Sequence, residues 1–289
     1  MFLTKRGSNH VFALQPLRFG IRNVFLLARF SLRRGWGGTL AFAGALALFQ
    51  ATLIWGYQFI GGGDTVQSVV TTFSPELRRA LKIVPSLQGG FGPREYVALG
   101  LYHPIYLGLG AAYAVSRAAD GLAGGIERNT VLLLLSRPIS RTALLLGEAL
   151  ALMIGLVIVL GAGLGGLIVG VLTTDLGMPL PLSGYGLAAA VGWVLFAALG
   201  ALALLVAATQ SRAGSAAGIG SAVVLGAFVL DLLPWTSEPP LAYINPWHWY
   251  DPPRIITAGL PWTDVGVLLL IGAVALAATI LVWRRRRLV

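Results

Sequence analysis

Long stretches without a single charged residue constrain this chain more than any other feature. Six of them stand out, between Arg34 and Asp64, Glu95 and Arg117, Glu148 and Asp175, Asp175 and Arg212, Arg212 and Asp231, and Asp264 and Arg284. Each holds an apolar run close to the roughly 20 residues that a helix needs to cross a bilayer. In the first the apolar centre is 40–55, and in the fourth it is 185–208. Lipid offers no partner to open strand edges, and the alternating segments of about ten residues that mark a membrane barrel are absent. The runs therefore read as helices. Only 11% of the 289 residues are charged and 56% are apolar, against about 25% charge in a soluble domain. This excludes an ordinary cytosolic enzyme, a disordered regulator and a secreted disulfide scaffold. The absence of cysteine also removes disulfides, thiolate metal sites and cysteine nucleophiles.

Positive charge sets the sidedness. Six spans place both termini on one side. Lys5, Arg6, Arg18, Arg22, Arg29, Arg33 and Arg34 precede the first span. Arg117, Arg128, Arg137 and Arg141 lie between the second and third, Arg212 lies between the fourth and fifth, and Arg284, Arg285, Arg286 and Arg287 follow the sixth. Only Arg78, Arg79, Lys82, Arg94 and Arg254 fall opposite. The positive-inside rule puts both termini in the cytoplasm. The formal charge of +10 then reflects topology and anionic lipid, not nucleic acid. No secretory signal is expected, because the first long apolar run begins only after Arg34. The expectation is an all-α integral membrane protein forming one domain over 1–289. It has a cytoplasmic N-terminal region at 1–34, a six-helix membrane region at 36–283 and a basic cytoplasmic tail at 284–289.

Arg18, Arg22, Arg29 and Arg33 fall within about 60° on a helical wheel. Leu17, Ile21, Val24, Ala28 and Leu32 occupy another sector. This predicts an amphipathic helix on the cytoplasmic membrane surface, whose basic face is a further candidate contact for a soluble partner. In the outer loop between Tyr57 and Glu95, Ser74 and Pro75 read as a helix start, with Leu77, Leu81 and Val84 at helical spacing. The second outer loop carries Asn245, Pro246, Trp247, His248, Trp249 and Tyr250, which reads as an interfacial aromatic belt or an outer lid. Gly161 with Gly165, Gly166 with Gly170, and Gly214 with Gly218 are pairs that permit close helix approach.

The residues of familiar chemistries do not assemble. His10, His103 and His248 lack metal-ligand spacing, so no metal site is expected. No nucleophile-elbow pattern and no phosphate-binding loop occur, and residues 218–222 do not complete the former. Ionisable and amide groups within the spans are few: Gln50 in the first, Asp231 near the outer end of the fifth, and Glu148 near the cytoplasmic start of the third. Glu148 is the best single candidate for a functional intramembrane group. Glu148 is expected to pair at the boundary with Arg141 or Arg137. A proton-coupled carrier or a channel needs more than these.

The most informative segment joins the second and third spans. Residues 131–135 form an apolar run between Arg128 and Arg137 that is far too short to span. Pro138 ends it, and Ser140 is placed to cap the next helix. Exposing such side chains costs about 1.5–3 kcal/mol each, so the chain's own helix ends or a partner must cover them. The reading is either an interfacial turn or a docking helix. Glu127, Thr130, Leu134, Leu135, Ser136, Pro138, Ser140, Arg141, Leu145, Leu146 and Gly147 resemble the first cytoplasmic loop of ABC-2 type transporter permeases. Asn129 stands where that pattern usually has Gly, and Glu148 where Lys is common.

The resemblance implies a non-catalytic membrane subunit of an ATP-driven transporter in a prokaryotic plasma membrane, exporting an amphipathic or lipophilic compound. Two copies of a separate ATPase would bind ATP and Mg, with no cofactor bound by this chain. The second permease would be identical or a paralogue. The ATPase would dock on the loop 117–141, with Glu127, Arg128, Thr130, Leu134, Ser136, Arg137, Pro138 and Arg141 as coupling residues. Substrate would pass along the dimer interface, lined by the first, second and fifth spans. The alternatives are a standalone secondary carrier or channel and, behind it, an intramembrane enzyme.

Overall fold

The computed structural model describes residues 11–62, 65, 68, 71–74, 92–233 and 241–287. Its helices are α1 (Val11–Arg34), α2 (Trp36–Phe59), α3 (Pro93–Leu99), α4 (Pro104–Ala118), a π-helical turn (Ala119–Ala123), α5 (Gly124–Glu127), α6 (Thr130–Leu135), α7 (Arg141–Thr173), α8 (Leu182–Ala207), α9 (Ala213–Leu232), α10 (Leu241–Ile244), a 3-10 turn (Pro246–Trp249), α11 (Pro252–Ala258) and α12 (Trp262–Arg285). No strand occurs among the described residues.

Helices α2, α7, α8, α9 and α12 are each long and apolar enough to cross a membrane. The remaining expected span, between Glu95 and Arg117, is not one helix. It breaks at residues 100–103, between α3 and α4. Pro104 opens α4 at its first turn, and His103 caps it, with Nδ1 accepting from the Ile105 amide at 3.2 Å. Proline has no amide hydrogen to continue α3 and sits well only at a helix start. The break frees carbonyls that lipid could not satisfy. Gln50 Nε2 donates to the Gly100 carbonyl at 2.9 Å, and the Tyr250 hydroxyl donates to the Leu101 carbonyl at 3.1 Å. Counting gaps between charges could not find this break, because it contains no charge.

The long helix α7 packs against α1, α2, α4 and α8. Its contact with α2 depends on Gly163, Gly166 and Gly170, which face Leu46, Ala47 and Ile54. A methyl group at Gly166 would overlap the Ala47 carbonyl, so only glycine permits this backbone approach. Of the three small-residue pairs, Gly166 with Gly170 works in this way. Gly161, Gly165, Gly214 and Gly218 have open space beside them.

Helix α1 forms as expected and buries Ala28 of its apolar sector, but its packed face extends from there toward Leu27 and Ser31. Leu27, Ala28 and Ser31 are buried against α7, whereas Ile21 is 59% exposed. Gly147 of α7 sets the choice by letting Leu27 and the α1 backbone seat closely above it. The aromatic segment also departs from an interfacial belt. Trp247 and Tyr250 are buried. The Trp247 indole donates to the Val224 carbonyl at 3.1 Å, and Tyr250 also reaches the Ala188 carbonyl at 3.4 Å. The helix expected from Ser74 through Pro75, Leu77, Leu81 and Val84 lies, beyond Ser74, outside the described residues.

Helix α12 runs through Arg284 and Arg285, so the basic tail begins as helix. Arg286 then turns back, donating to the carbonyls of Ala208 at 2.7 Å and Gln210 at 2.9 Å and to Ser211 Oγ at 2.8 Å. A cation thus closes the carbonyl end of α8. This end of the bundle, the terminal end, also gathers α1, α5, α6 and the start of α7. The opposite, far end holds α3, α11 and the connection between α7 and α8.

Candidate coupling site

The segment from α5 to α7 is built from a few local decisions. Asn129 has a φ of 57°. Outside glycine, asparagine is among the residues that best tolerate this left-handed region. The position is the one where the resembling pattern carries Gly, so Asn129 preserves the turn that starts α6. Val131 is buried against Gly125, where an added Cβ would come within 2.9 Å of its Cγ2. Leu134 and Leu135 pack partly into the core. Leu132 and Leu133 do not, being 41% and 70% exposed. The chain's own helices therefore cover part of the apolar run and leave two leucines bare. Helix α6 ends at Leu135, ahead of Pro138, with Ser136 Oγ donating to the Leu133 carbonyl at 2.8 Å. Ser140 caps α7, its Oγ accepting from the Ala143 amide at 3.0 Å.

The anticipated coupling residues divide into two groups. Arg128, Ser136, Arg137 and Pro138 are exposed beside Leu132 and Leu133. Thr130 and Leu134 are half-buried. Glu127 and Arg141 instead bind other segments. Glu127 Oε2 accepts from the Ala213 amide at 2.8 Å. This supplies α9 with the cap that its flanking Arg212 does not provide and places negative charge at a helix N-terminus, where it is favoured. Arg141 Nη1 donates to the Arg286 carbonyl at 2.6 Å.

Directly behind this segment lies a charge cluster that sequence reasoning did not assemble. Ser31 and Arg34 come from α1, Arg117 from α4, Asp120 from the π turn and Glu148 from α7, with Arg128 at its edge. Ser31 Oγ donates to Glu148 Oε2 and accepts from Arg117 Nη2 at 2.7 Å. Arg117 lies 3.8 Å from Glu148 and 3.9 Å from Asp120. Arg34 reaches Asp120 at 3.5 Å and Glu148 at 3.9 Å, and Arg128 reaches Asp120 at 2.7 Å. Glu148 thus pairs with Arg34 and Arg117, not with Arg141 or Arg137. It lies two helical turns, roughly 10 Å, beyond Arg141 along α7, on the face turned to α1 and α4. Gly121 and Gly35 make room, since a Cβ at either would stand 2.6 Å from Glu148 Oε2 or Arg117 Nη1 respectively. Arg117 is only 7% exposed, and its Nε and Nη1 have no hydrogen-bond partner among the described residues.

The other singled-out groups are placed plainly. Gln50 is buried and spent on the Gly100 carbonyl. Arg18, Arg22, Arg29 and Arg33 all lie on α1, and the last three are exposed. The only sequence trace of the cluster is that Arg34, Arg117, Asp120 and Glu148 all flank apolar runs on the same expected side.

Comparison with curated proteins finds no matching relative. The profile of the ABC-2 family transporter proteins matches residues 44–288. That range runs from within α2 to the end of α12 and takes in the α5–α6 turn with its left-handed Asn129. Because the match covers most of a chain whose long helices are built to cross a membrane, the chain belongs to the ABC-2 family of transporter proteins, as a membrane-embedded permease.

Proposed function

We propose that this permease is driven by a separate ATPase that docks on the exposed face of α6. The observation that carries the reading is the pair Leu132 and Leu133, left bare beside Arg128 and Arg137. Leaving two leucines in water is costly, and a polar-rimmed apolar knob fits a cleft in a soluble partner. The sequence has no phosphate loop of its own, so ATP and Mg belong to that partner, present in two copies. The terminal end then faces the cytoplasm of a prokaryotic plasma membrane, and the transport is export.

A push on α6 has two short routes inward. One runs through Glu127 to the start of α9. The other runs through Arg128 and Asp120 to Arg34 on α1. Both lead to rigid helices, as a rigid-body change of access requires. An apolar cavity of about 280 Å³ between α4 and α9, lined by Leu107, Ala111, Val224, Phe228 and Trp247, supports an amphipathic or lipophilic substrate. Helix α9 is otherwise exposed along most of its length, which supports a second permease packing there.

The test is to purify the full chain gently from its native membrane and identify what accompanies it. A stoichiometric nucleotide-hydrolysing subunit is expected. Leu133→Glu should lose it while the permease stays in the membrane with its melting temperature unchanged. Its absence in every detergent tried, or its retention by Leu133→Glu, would overturn the reading.

A further inference from the structure

The far end holds a second polar site. A cleft of about 300 Å³ opens between α3 and α11, lined among others by Arg94, Glu95, Tyr102, Asp251 and Arg254. Each carboxylate uses one oxygen locally. Glu95 Oε2 accepts from the Gly92 amide at 3.0 Å, and Asp251 Oδ1 accepts from the Arg254 amide at 3.2 Å, capping α11. Their other oxygens have no hydrogen-bond partner among the described residues. Tyr102 is 7% exposed and lines the same cleft as both carboxylates. Its hydroxyl also lacks a partner among the described residues. Arg94 and Arg254 are exposed. Arg254 holds Asp264 at 3.3 Å, while the Arg94 guanidinium has no ion pair among the described residues.

We infer that this cleft binds a zwitterion through its primary ammonium group. A primary ammonium offers three donors, which match the free oxygens of Glu95, Asp251 and Tyr102. Two carboxylates alone would also suit a metal ion, but the two adjacent guanidiniums oppose a bare cation and favour an anion attached to the ammonium. A phosphate or carboxylate beside the amine meets Arg94, for which guanidinium geometry is well suited. Phosphoethanolamine is the simplest group of this kind, either as the head of a membrane phospholipid or as a free soluble molecule. The inference stands apart from the ATPase reading, because binding is measured on the permease alone.

The test uses the full chain, delipidated in detergent and offered phosphatidylethanolamine or phosphatidylglycerol, with retained lipid counted by native mass spectrometry. Soluble phosphoethanolamine and inorganic phosphate serve as competitors. Phosphatidylethanolamine should be retained at least about tenfold over phosphatidylglycerol and displaced by phosphoethanolamine but not by phosphate. Glu95→Gln and Asp251→Asn keep the oxygen that serves the local backbone and turn the free oxygen into an uncharged amide donor. Tyr102→Phe removes one oxygen and is the mildest change. Each should weaken binding about tenfold, the loss of one charge-assisted hydrogen bond. Binding of phosphoethanolamine alone, with the same variant dependence, would uphold the ammonium seat and assign a soluble source. Equal retention of both lipids, displacement by phosphate alone, or stable variants that bind like the parent would overturn it.

Discussion

At the terminal end, α1, α4 and α7 meet through guanidinium and carboxylate groups, with Ser31 between them. At the far end, the broken second segment is held by neutral donors. Tyr96 donates to the Leu53 carbonyl at 2.8 Å, Tyr185 to the Arg94 carbonyl at 3.1 Å and Tyr250 to the Leu101 carbonyl at 3.1 Å. The two networks differ in how many arrangements they allow. A phenol has one proton to donate, and losing the group that takes it leaves a polar atom unsatisfied. In the charge cluster, Asp120 lies within 4 Å of three guanidiniums and Glu148 within 4 Å of two. Shared partners at 3.5–3.9 Å can be exchanged without stranding a charge. The terminal end is therefore built to be rearranged, and the far end to stay as it is.

The largest test of this contrast is Arg117→Ala. It leaves Glu148 buried with one fewer counter-charge and should cost about 3–5 kcal/mol, read as a fall in melting temperature in detergent. Replacing both partners, as Arg117→Met with Glu148→Leu, should recover much of that loss, because an ion pair exchanged for packed apolar groups is often near neutral. Tyr250→Phe should cost about 1–3 kcal/mol by orphaning the Leu101 carbonyl in the break. If Tyr250→Phe proves more damaging than Arg117→Ala, the ranking of the two ends is reversed. Glu127→Gln keeps an acceptor for the Ala213 amide but removes charge from the α9 N-terminus. The expected loss is about 0.3–1 kcal/mol, seen as earlier exchange of the first α9 amides. Smallest of all, Leu133→Glu lies on a bare surface and should shift stability by no more than about 0.5 kcal/mol, while abolishing association with the proposed ATPase subunit.

Much of the fold was legible in the sequence because charge is scarce. Five of the charge-free runs became single long helices. The 131–135 run became a short helix, and Ser140 became a cap, since local rules govern both. The rest depended on tertiary neighbours. The break before Pro104 was hidden because Gln50 and Tyr250, which make it tolerable, lie 50 and 149 residues from the carbonyls they satisfy. The partner of Glu148 was misjudged because nearness in sequence favoured Arg141, whereas the actual contacts come from residues 31 and 117. The packed face of α1 was set by a glycine on another helix. Asn129 shows a signal that was present but not decoded. An asparagine in place of a glycine marks a backbone conformation rather than a lost motif.

The π turn at Ala119–Ala123 bears on how the α5–α6 segment is phased. A π turn holds about one residue more than an α turn, so everything after it is offset by roughly 100° from the direction α4 would otherwise give it. Glu127 meets the Ala213 amide only with that offset in place. A one-residue deletion within 119–123 that restored ordinary α-helix would therefore leave Glu127, Asn129 and the two bare leucines aimed as they are, whereas a one-residue deletion within α4 itself would swing them by about a quarter turn. The π turn is thus the place in this stretch where a change of length need not become a change of angle.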